Sequence, residues 1–505
     1  MKIFSAEQIR RWDQFTISHE PISSIQLMER ASMAVASWIS ENCKAHKKAV
    51  LFCGNGNNGG DGLAVARMLY LKGFDVEVLV KDLTGKFSED ASVNLKRLGS
   101  ISGISVRNFD QVEHDRLDDK TIIIDALFGT GLSRPLADEY KELVDWINKK
   151  ENIKISIDVP SGLSADSLFD DDSIVLKANY TLSFQCWKRS FLHPETGKFT
   201  GRVIILDIGL NQEYYNITET DYWGTDDSFA GSLFKPRNEF AHKGNYGKAI
   251  IAGGSYGKMG AAVLATKSVL KTGAGLTFTL APQCGYEILQ TTCPEAMFIE
   301  GGEQFISDFN VDKEAFIGIG PGLGKHKDTQ KGLLRFLKEH QAPLVLDADA
   351  LNIISEDPEN LQLIPKQSMI TPHPKEFERL FGKTENSFKR LELAKEKAKD
   401  LSIYIVLKDH HTQVVTPEGN VYYNLTGNAG LAKGGSGDIL TGILTSLMAQ
   451  GYSEKDTCLL GVWLHGKAAD FAAEKHSKES MLPTDVIDEL GNVFIELNNR
   501  AEQSL

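Results

Sequence analysis

Asp438 follows Gly434-Gly435-Ser436-Gly437, and an apolar run from Ile439 to Met448 begins at once. The pattern predicts a helix starting at Ser436, whose unpaired N–H groups and dipole favour an anion at its mouth. A carboxylate in that position repels a phosphate held there. Its use is therefore chemical: it can act as general base for a hydroxyl that attacks the phosphoryl group. The plain alternative is a glycine-rich loop with a helix-capping Asp. Two carboxylates in the first half stand at the ends of apolar runs, Asp125 after Thr121–Ile124 and Asp158 after Ile153–Ile157. Asp158, in Asp158-Val159-Pro160-Ser161-Gly162, and Asp125 thus stand at the carboxyl edge of a parallel sheet, where open α/β folds put their ligands; the plain reading of each is a turn residue.

The elements that must carry these groups alternate in type. Lys48 to Cys53 reads as a short apolar strand and runs into the glycine loop Gly54 to Gly62, followed by a helix from Leu63 to Leu71. Strand, glycine loop and helix open a Rossmann-like unit. Ile22, Ile25, Met28, Ser32, Val35 and Ile39 share one face of a preceding amphipathic helix. Further strands are expected at Asp75 to Val80, Tyr180 to Phe184 and Val203 to Leu206, so the first half is a doubly wound α/β sheet. In the second half, strands at Lys248–Ala252, Ala315–Ile319, Leu344–Leu346, Met369–Ile370 and Ile403–Leu407 each deliver polar residues at the carboxyl end. Among those residues, Asp347 and Asp349 either hold a metal or cap the next helix, and His373 is a ligand contact or a satisfied turn histidine. Lys408 is a phosphate contact or a solvated strand-end lysine. His410 and His411 resemble a metal pair, but adjacent strand residues point to opposite faces of the chain, so exposure on a loop is expected. The stretch 211–239 is polar and aromatic without periodicity and reads as a linker with some packed aromatics. That divides the chain into 1–210, 211–239 and 240–505.

At 505 residues the chain is too long for one ordinary core. Its net charge of −13 argues against a nucleic-acid binder that works by charge, though not against a local basic pocket for phosphates. Six cysteines without a C-x-x-C pair suit free thiols in a reducing cytoplasm. No apolar run reaches the length of a membrane span or matches a signal peptide, so no membrane partner is expected.

Three motifs of the first half occur in order: NGNNGGDG at Asn55–Gly62, DALFGTGLSRP at Asp125–Pro135 and DVPSGL at Asp158–Leu163. Together they resemble the NAD(P)H-hydrate epimerase domain, the YjeF N-terminal family, over roughly residues 1–209. The resemblance implies that Asn57, Asn58, Gly59, Gly60 and Asp61 line the substrate, together with Gly129, Thr130, Gly131, Leu132, Ser133, Arg134 and Pro135. It implies a potassium ion on Asn58, Asp125 and Ser161, and Asp158 as the acid/base. Potassium takes oxygen ligands, which these side chains supply.

GPGLG, DADALN, TPHPKEFERL and NAGLAKGGSGD of the second half resemble the ADP/ATP-dependent NAD(P)H-hydrate dehydratases, a branch of the ribokinase-like fold. The fold expected is a Rossmann-like three-layer αβα domain followed by a ribokinase-like αβα domain. By this resemblance Lys408, Asp409, His410, His411 and Thr412 bind the nucleotide, with Asn428, Ala429, Gly430, Leu431, Ala432, Lys433, Gly434, Gly435, Ser436 and Gly437. Ala262, Gly322, Gly324, His373, Pro374, Glu376, Arg379 and the base Asp438 meet the hydrate. Lys375 and Asp409 stand where the family usually has Gly. The implied chemistry is repair of hydrated NADH and NADPH (NADHX and NADPHX): epimerisation, then dehydration of the S form with ADP or ATP and magnesium. The family habit implies a homo-oligomer, a tetramer or larger. Two rivals share parts of the pattern, a small-molecule kinase with a degenerate partner domain and a non-enzymatic scaffold.

Overall fold

The computed structural model describes residues 1–109, 117–169 and 173–503. It forms two compact units, Lys2–Thr220 and Met1 with Asp221–Leu505.

The first unit carries seven parallel strands: β1 (Lys48–Cys53), β2 (Asp75–Val80), β3 (Ser105–Asn108), β4 (Thr121–Ala126), β5 (Lys154–Ile157), β6 (Tyr180–Phe184) and β7 (Arg202–Leu206), in the order β3-β2-β1-β4-β5-β6-β7. Every residue of β4 is buried, as befits a strand covered by helices on both faces. The chain steps outward from β1 in one direction and from β4 in the other. The crevice between their carboxyl ends is therefore the switch point where such sheets bind ligands. The loops after both strands meet there, since a Cβ on Gly54 would lie 2.2 Å from the Leu127 carbonyl oxygen.

The helix expected from Leu63 begins six residues earlier, as Asn57–Leu71. The glycines are thus its first turn, and close packing explains them. A Cβ on Gly59 would sit 1.7 Å from the Gly54 carbonyl oxygen, and one on Gly62 would sit 2.5 Å from Ala126 Cβ. Gly59→Ala is expected to cost about 3 kcal/mol, because backbone rather than a flexible side chain must move; a urea midpoint measures it.

The segment expected as a linker is instead folded, which corrects that reading. Helix Gln212–Ile217 belongs to the first unit, where Tyr214 stacks on Trp12 at 6.1 Å and meets Phe4 edge-on. That contact also fixes helix Ala6–His19, which the sequence pattern did not announce. The next residues form β8 (Tyr222–Thr225) and helix Asp227–Leu233 of the second unit. Its aromatics lack periodicity because they serve two cores.

The second unit's sheet continues with β9 (Lys248–Ala252), β10 (Leu276–Ala281), β11 (Met297–Glu300), β12 (Phe316–Ile319), β13 (Leu344–Leu346), β14 (Met369–Ile370), β15 (Tyr404–Leu407), β16 (Gln413–Val415) and β17 (Val421–Asn424). The order is β11-β10-β9-β12-β13-β14-β15-β16-β17-β8. Only β16 runs antiparallel to its two neighbours. Helix Ser436–Ala449 lies against helix Met259–Thr272 so closely that a Cβ on Gly442 would be 2.2 Å from the Ala265 oxygen. No helix among the described residues is long and apolar enough to cross a membrane.

Candidate active sites

At the switch point of the first unit lies a cavity of about 630 Å³. Asn57, Asn58 and Asp61 line it from the glycine helix, Gly129, Thr130, Gly131 and Leu132 from the loop after β4, and Asp158 from the end of β5. Gly59, Gly60, Ser133, Arg134 and Pro135 are not among its lining residues; the first two are consumed in packing.

Asp158 sits at φ +65°, a left-handed conformation that Asp tolerates better than most residues. Its Oδ2 accepts from the Thr130 N–H at 3.0 Å, and its Oδ1 lies 3.3 Å from Lys188 Nζ. The Lys188 side chain is fully buried and also donates to the Phe184 and Cys186 carbonyls at 2.7 and 3.1 Å. Nothing in the sequence pattern marked Lys188; it lies in an irregular stretch 30 residues beyond its partner. Asp13 and Asp61 face the same space. Burial first, then the Asp158 carboxylate, pushes Asp13 up to about 7 and raises Asp61 well above the usual carboxylate range.

Asp125 is wholly buried behind this cluster. Its carboxylate accepts from the Ser161 hydroxyl at 2.5 Å, the Ser161 N–H at 2.9 Å and the Ser156 hydroxyl at 2.9 Å. Burial raises its pKa against those hydrogen bonds. The Asn58 side-chain nitrogen is buried without a partner among the described residues.

In the second unit, helix Ser436–Ala449 begins where expected, with Gly435 at φ +100° before it. Asp438 occupies the first turn. Burial, then the neighbouring Asp347, pushes its carboxyl up to about 7, with Lys408 pulling the other way. Asp347 is buried; it accepts from Lys408 Nζ at 2.8 Å and from the Thr441 hydroxyl at 3.0 Å, and although it stands at the N-cap of helix Ala348–Ile354 its side chain makes no capping hydrogen bond. Burial opposes the Lys408 charge, but Asp347 and Glu376 outweigh it and leave the ammonium's pKa raised. Lys408 is therefore no solvated strand-end residue. A Cβ on Gly437 would lie 3.3 Å from both Asp347 Oδ2 and Lys408 Nζ, so the glycine cradle abuts the ion pair. Lys408→Met leaves Asp347 charged and unpaired, and is expected to cost about 3–5 kcal/mol in a denaturant titration.

Asp349 accepts from the Gly324 N–H at 2.8 Å and pairs with Lys258 at 3.2 Å. Gly322 and Gly324 take φ of +61° and +76° in that loop. Ala262 is fully buried within helix Met259–Thr272. His373 caps helix Pro374–Phe381: its Nδ1 accepts from the Lys375 N–H at 3.1 Å, and Glu376 accepts from the His373 N–H at 2.9 Å. Lys375 stands within that helix, where the absence of Gly costs nothing. Arg379 donates to Asn352 Oδ1 at 2.7 Å.

Asp409 is ion-paired with Arg390, so the charge that replaces the family's glycine is answered locally. His410 and His411 do not point to opposite faces: their Nδ1 atoms are 3.1 Å apart, because the chain turns between β15 and β16 rather than remaining extended. No cluster of three or more His, Cys, Asp or Glu able to hold a metal occurs among the described residues.

Of the loop before the cradle, Asn428 spends its side chain on structure, donating to the Ala469 carbonyl at 3.0 Å and Asp470 Oδ1 at 2.9 Å. Lys433 donates to the Glu479 and Met481 carbonyls at 2.6 and 2.7 Å. Ala429, Gly430 and Leu431 form a single 3-10 turn, and Ala432 ends it. Thr412 accepts from the Asn424 N–H through its carbonyl. Asp470, which also receives the Gly427 N–H at 2.9 Å, fastens this loop to helix Glu454–Ser480. A helix-borne Asp gives no sign in the sequence of which distant loop it will hold.

Two family models match the chain: YjeF-related protein N-terminus over residues 24–190 and NAD(P)H-hydrate dehydratase over residues 249–492. The bifunctional NAD(P)H-hydrate repair enzyme of Moorella thermoacetica is 32% identical, covering 99% of this chain and 98% of its own. The like-named protein of Escherichia coli is 29% identical over 97% and 93%. Among solved structures, the ADP/ATP-dependent NAD(P)H-hydrate dehydratase of Bacillus subtilis, co-crystallised with ATP and Mg2+, is 30% identical with a TM-score of 0.50, covering 55% of this chain and 98% of its own. A ribokinase-like superfamily protein of Enterococcus faecalis is 28% identical with a TM-score of 0.50, covering 56% and 98%.

Proposed function

The chain belongs to the family of bifunctional NAD(P)H-hydrate repair enzymes, and from that premise we propose how its two sites divide the work. It repairs hydrated NADH and NADPH: the first unit epimerises the R and S hydrates, and the second dehydrates the S form with ADP or ATP. The observation that carries the reading is Asp438 in the first turn of helix Ser436–Ala449, a half-buried carboxyl beside the Asp347–Lys408 pair.

Hydroxide is a poor leaving group and phosphate a good one. Asp438 takes the proton from the hydrate's hydroxyl, whose oxygen then attacks the terminal phosphoryl of the nucleotide. N–H groups at Gly435–Gly437 aim at the charge that develops. Lys408, pinned by Asp347, supplies a fixed positive charge next to the cradle. The phosphorylated hydrate then loses phosphate and the dihydronicotinamide returns. Lys408 answers Asp347 and Lys258 answers Asp349, so the ionised Asp438 is left as surplus negative charge, which suits a magnesium ion arriving with the nucleotide phosphates.

In the first unit, Asp158 is the proposed acid/base of epimerisation. Asn58, Asp125 and Ser161 would hold potassium. The unpartnered amide end of Asn58 supports this, since turning the amide over presents an oxygen at the same place. Bound there, potassium supplies positive charge near the reacting ring. We take the enzyme to act in the cytoplasm, which suits its six free cysteines, and as a homo-oligomer.

The test mixes both hydrate epimers with ADP or ATP and follows the absorbance of the reduced nicotinamide. Complete recovery of both epimers is expected. A stable phosphorylated product with no recovery would identify a kinase instead.

A further inference from the structure

Asp13 lies on helix Ala6–His19, outside all three motifs that mark the first site, yet it lines the same cavity as Asp158. Its neighbours Trp12 and Thr16 are buried in the core, whereas the Asp13 carboxyl has no hydrogen-bond or ion-pair partner among the described residues. Asp13 is half-buried in the cavity wall with no structural partner to engage it, which leaves its carboxyl free to meet whatever the cavity binds.

The groups around it leave one clear opening for an acid. Asp158 already receives the Thr130 N–H and faces the Lys188 ammonium. Asp61 receives the Ser32 hydroxyl, and Asp90 the Ser24 hydroxyl. Arg10 shares the Asp13 helix and lines the cavity. Tyr140 and Cys186 are both held protonated by burial. Among the described carboxyls around the cavity, Asp13 alone has no hydrogen-bond or ion-pair partner.

Resting on the epimerase reading above, we propose that Asp13 is the acid of the first site, protonating the departing hydroxyl while Asp158 accepts the proton of the water that returns on the opposite face. The C–O bond breaks with its electron pair on oxygen, and the Asp13 proton completes a water molecule. The ring nitrogen's lone pair closes a C=N bond. Water then bonds through oxygen to that carbon from the other side, the C=N pair returns to nitrogen, and the proton released goes to Asp158. Passage of a second hydrate in the reverse sense, or exchange with solvent, restores both groups. Inversion of such a centre requires one group that gives a proton and one that takes one. Burial and the neighbouring Asp158 push Asp13 up to about 7, so it keeps its proton until close to neutral pH.

The experiment incubates the pure S hydrate with the full chain and no nucleotide, and follows the R:S ratio by chromatography across the neutral pH range. Wild-type equilibration is expected to slow as pH rises through about 7, where Asp13 loses its proton. Asp13→Asn is expected to slow it about 100-fold and to abolish that limb. Asp13→Glu is expected to restore part of the rate with the limb displaced. Equilibration by Asp13→Asn at the wild-type rate and with the wild-type pH profile would overturn the proposal. So would a wild-type rate flat through pH 7, even if the variant failed to fold. A wild-type chain no faster than buffer would remove the epimerase reading itself.

Discussion

Asp438→Asn is expected to lower nucleotide-dependent recovery of NADH from the S hydrate by about 10³-fold or more, while epimerisation in the first unit continues unchanged. The carboxamide keeps the shape of the side chain but cannot take a proton. The glycine cradle and the Asp347–Lys408 pair stay in place, so the nucleotide KM should hold or fall, a negative group facing the phosphates having gone. The pH dependence follows from the raised carboxyl. A base must be ionised to work, so wild-type kcat should climb as pH rises through about 7 and then level.

The same residue links to stability with the opposite sign. The folded chain keeps its Asp438 proton to about pH 7, whereas the unfolded chain releases it near the ordinary carboxylate value. Stability is therefore lost as pH rises between those two points. Asn in its place should stabilise the fold above neutrality by about 2–3 kcal/mol. Recovery kinetics and urea midpoints at matched pH check both halves. Near-normal turnover in the variant would end the assignment of the base.

Asp158→Asn should leave recovery of the S hydrate intact and slow recovery from the R hydrate by about 10²–10⁴-fold, down towards spontaneous epimerisation. Asn is the informative choice because the residue stands at φ +65°, which Asn tolerates as well as Asp. A larger effect from Ala would mix lost chemistry with backbone strain. The variant still accepts the Thr130 N–H through its amide oxygen, but it no longer opposes the charge of the buried Lys188. Some loss of stability, of order 3 kcal/mol, should accompany the lost activity. A progress curve from mixed epimers separates the two effects: the fast S phase keeps its amplitude, and only the slow phase changes. A slow phase running at the wild-type rate would remove Asp158 from the mechanism.

The sheet-end loops were readable because each couples a strand, buried on both faces and hence continuously apolar, to an abrupt run of Gly, Asp and Asn. That contrast located Asn57–Asp61, Asp125, Asp158, Asp347, Lys408 and Asp438. Lys188 and Asp13 were not readable. One lies in an irregular stretch, the other on a helix whose amphipathic pattern treats it as one more polar position, and only the tertiary fold turns both towards Asp158. His373 and Asn428 show what motif position alone does not: beside any ligand contact, the fold engages His373 Nδ1 in a helix cap and the Asn428 side chain in holding a loop. The glycine stretch after β1 failed as a boundary marker because glycine signals a loop and a tightly packed helix start equally well.

The strand Tyr222–Thr225 closes the edge of the second sheet against Val421–Asn424, both of whose aromatic residues are buried. A dehydratase half excised at Phe240 would leave those main-chain groups bare, and a bare edge recruits strands from other molecules. Proteolysis or gene splitting between residues 226 and 239 would therefore yield a fragment inclined to aggregate, whereas a break before Asp221 would release one whose sheet is whole.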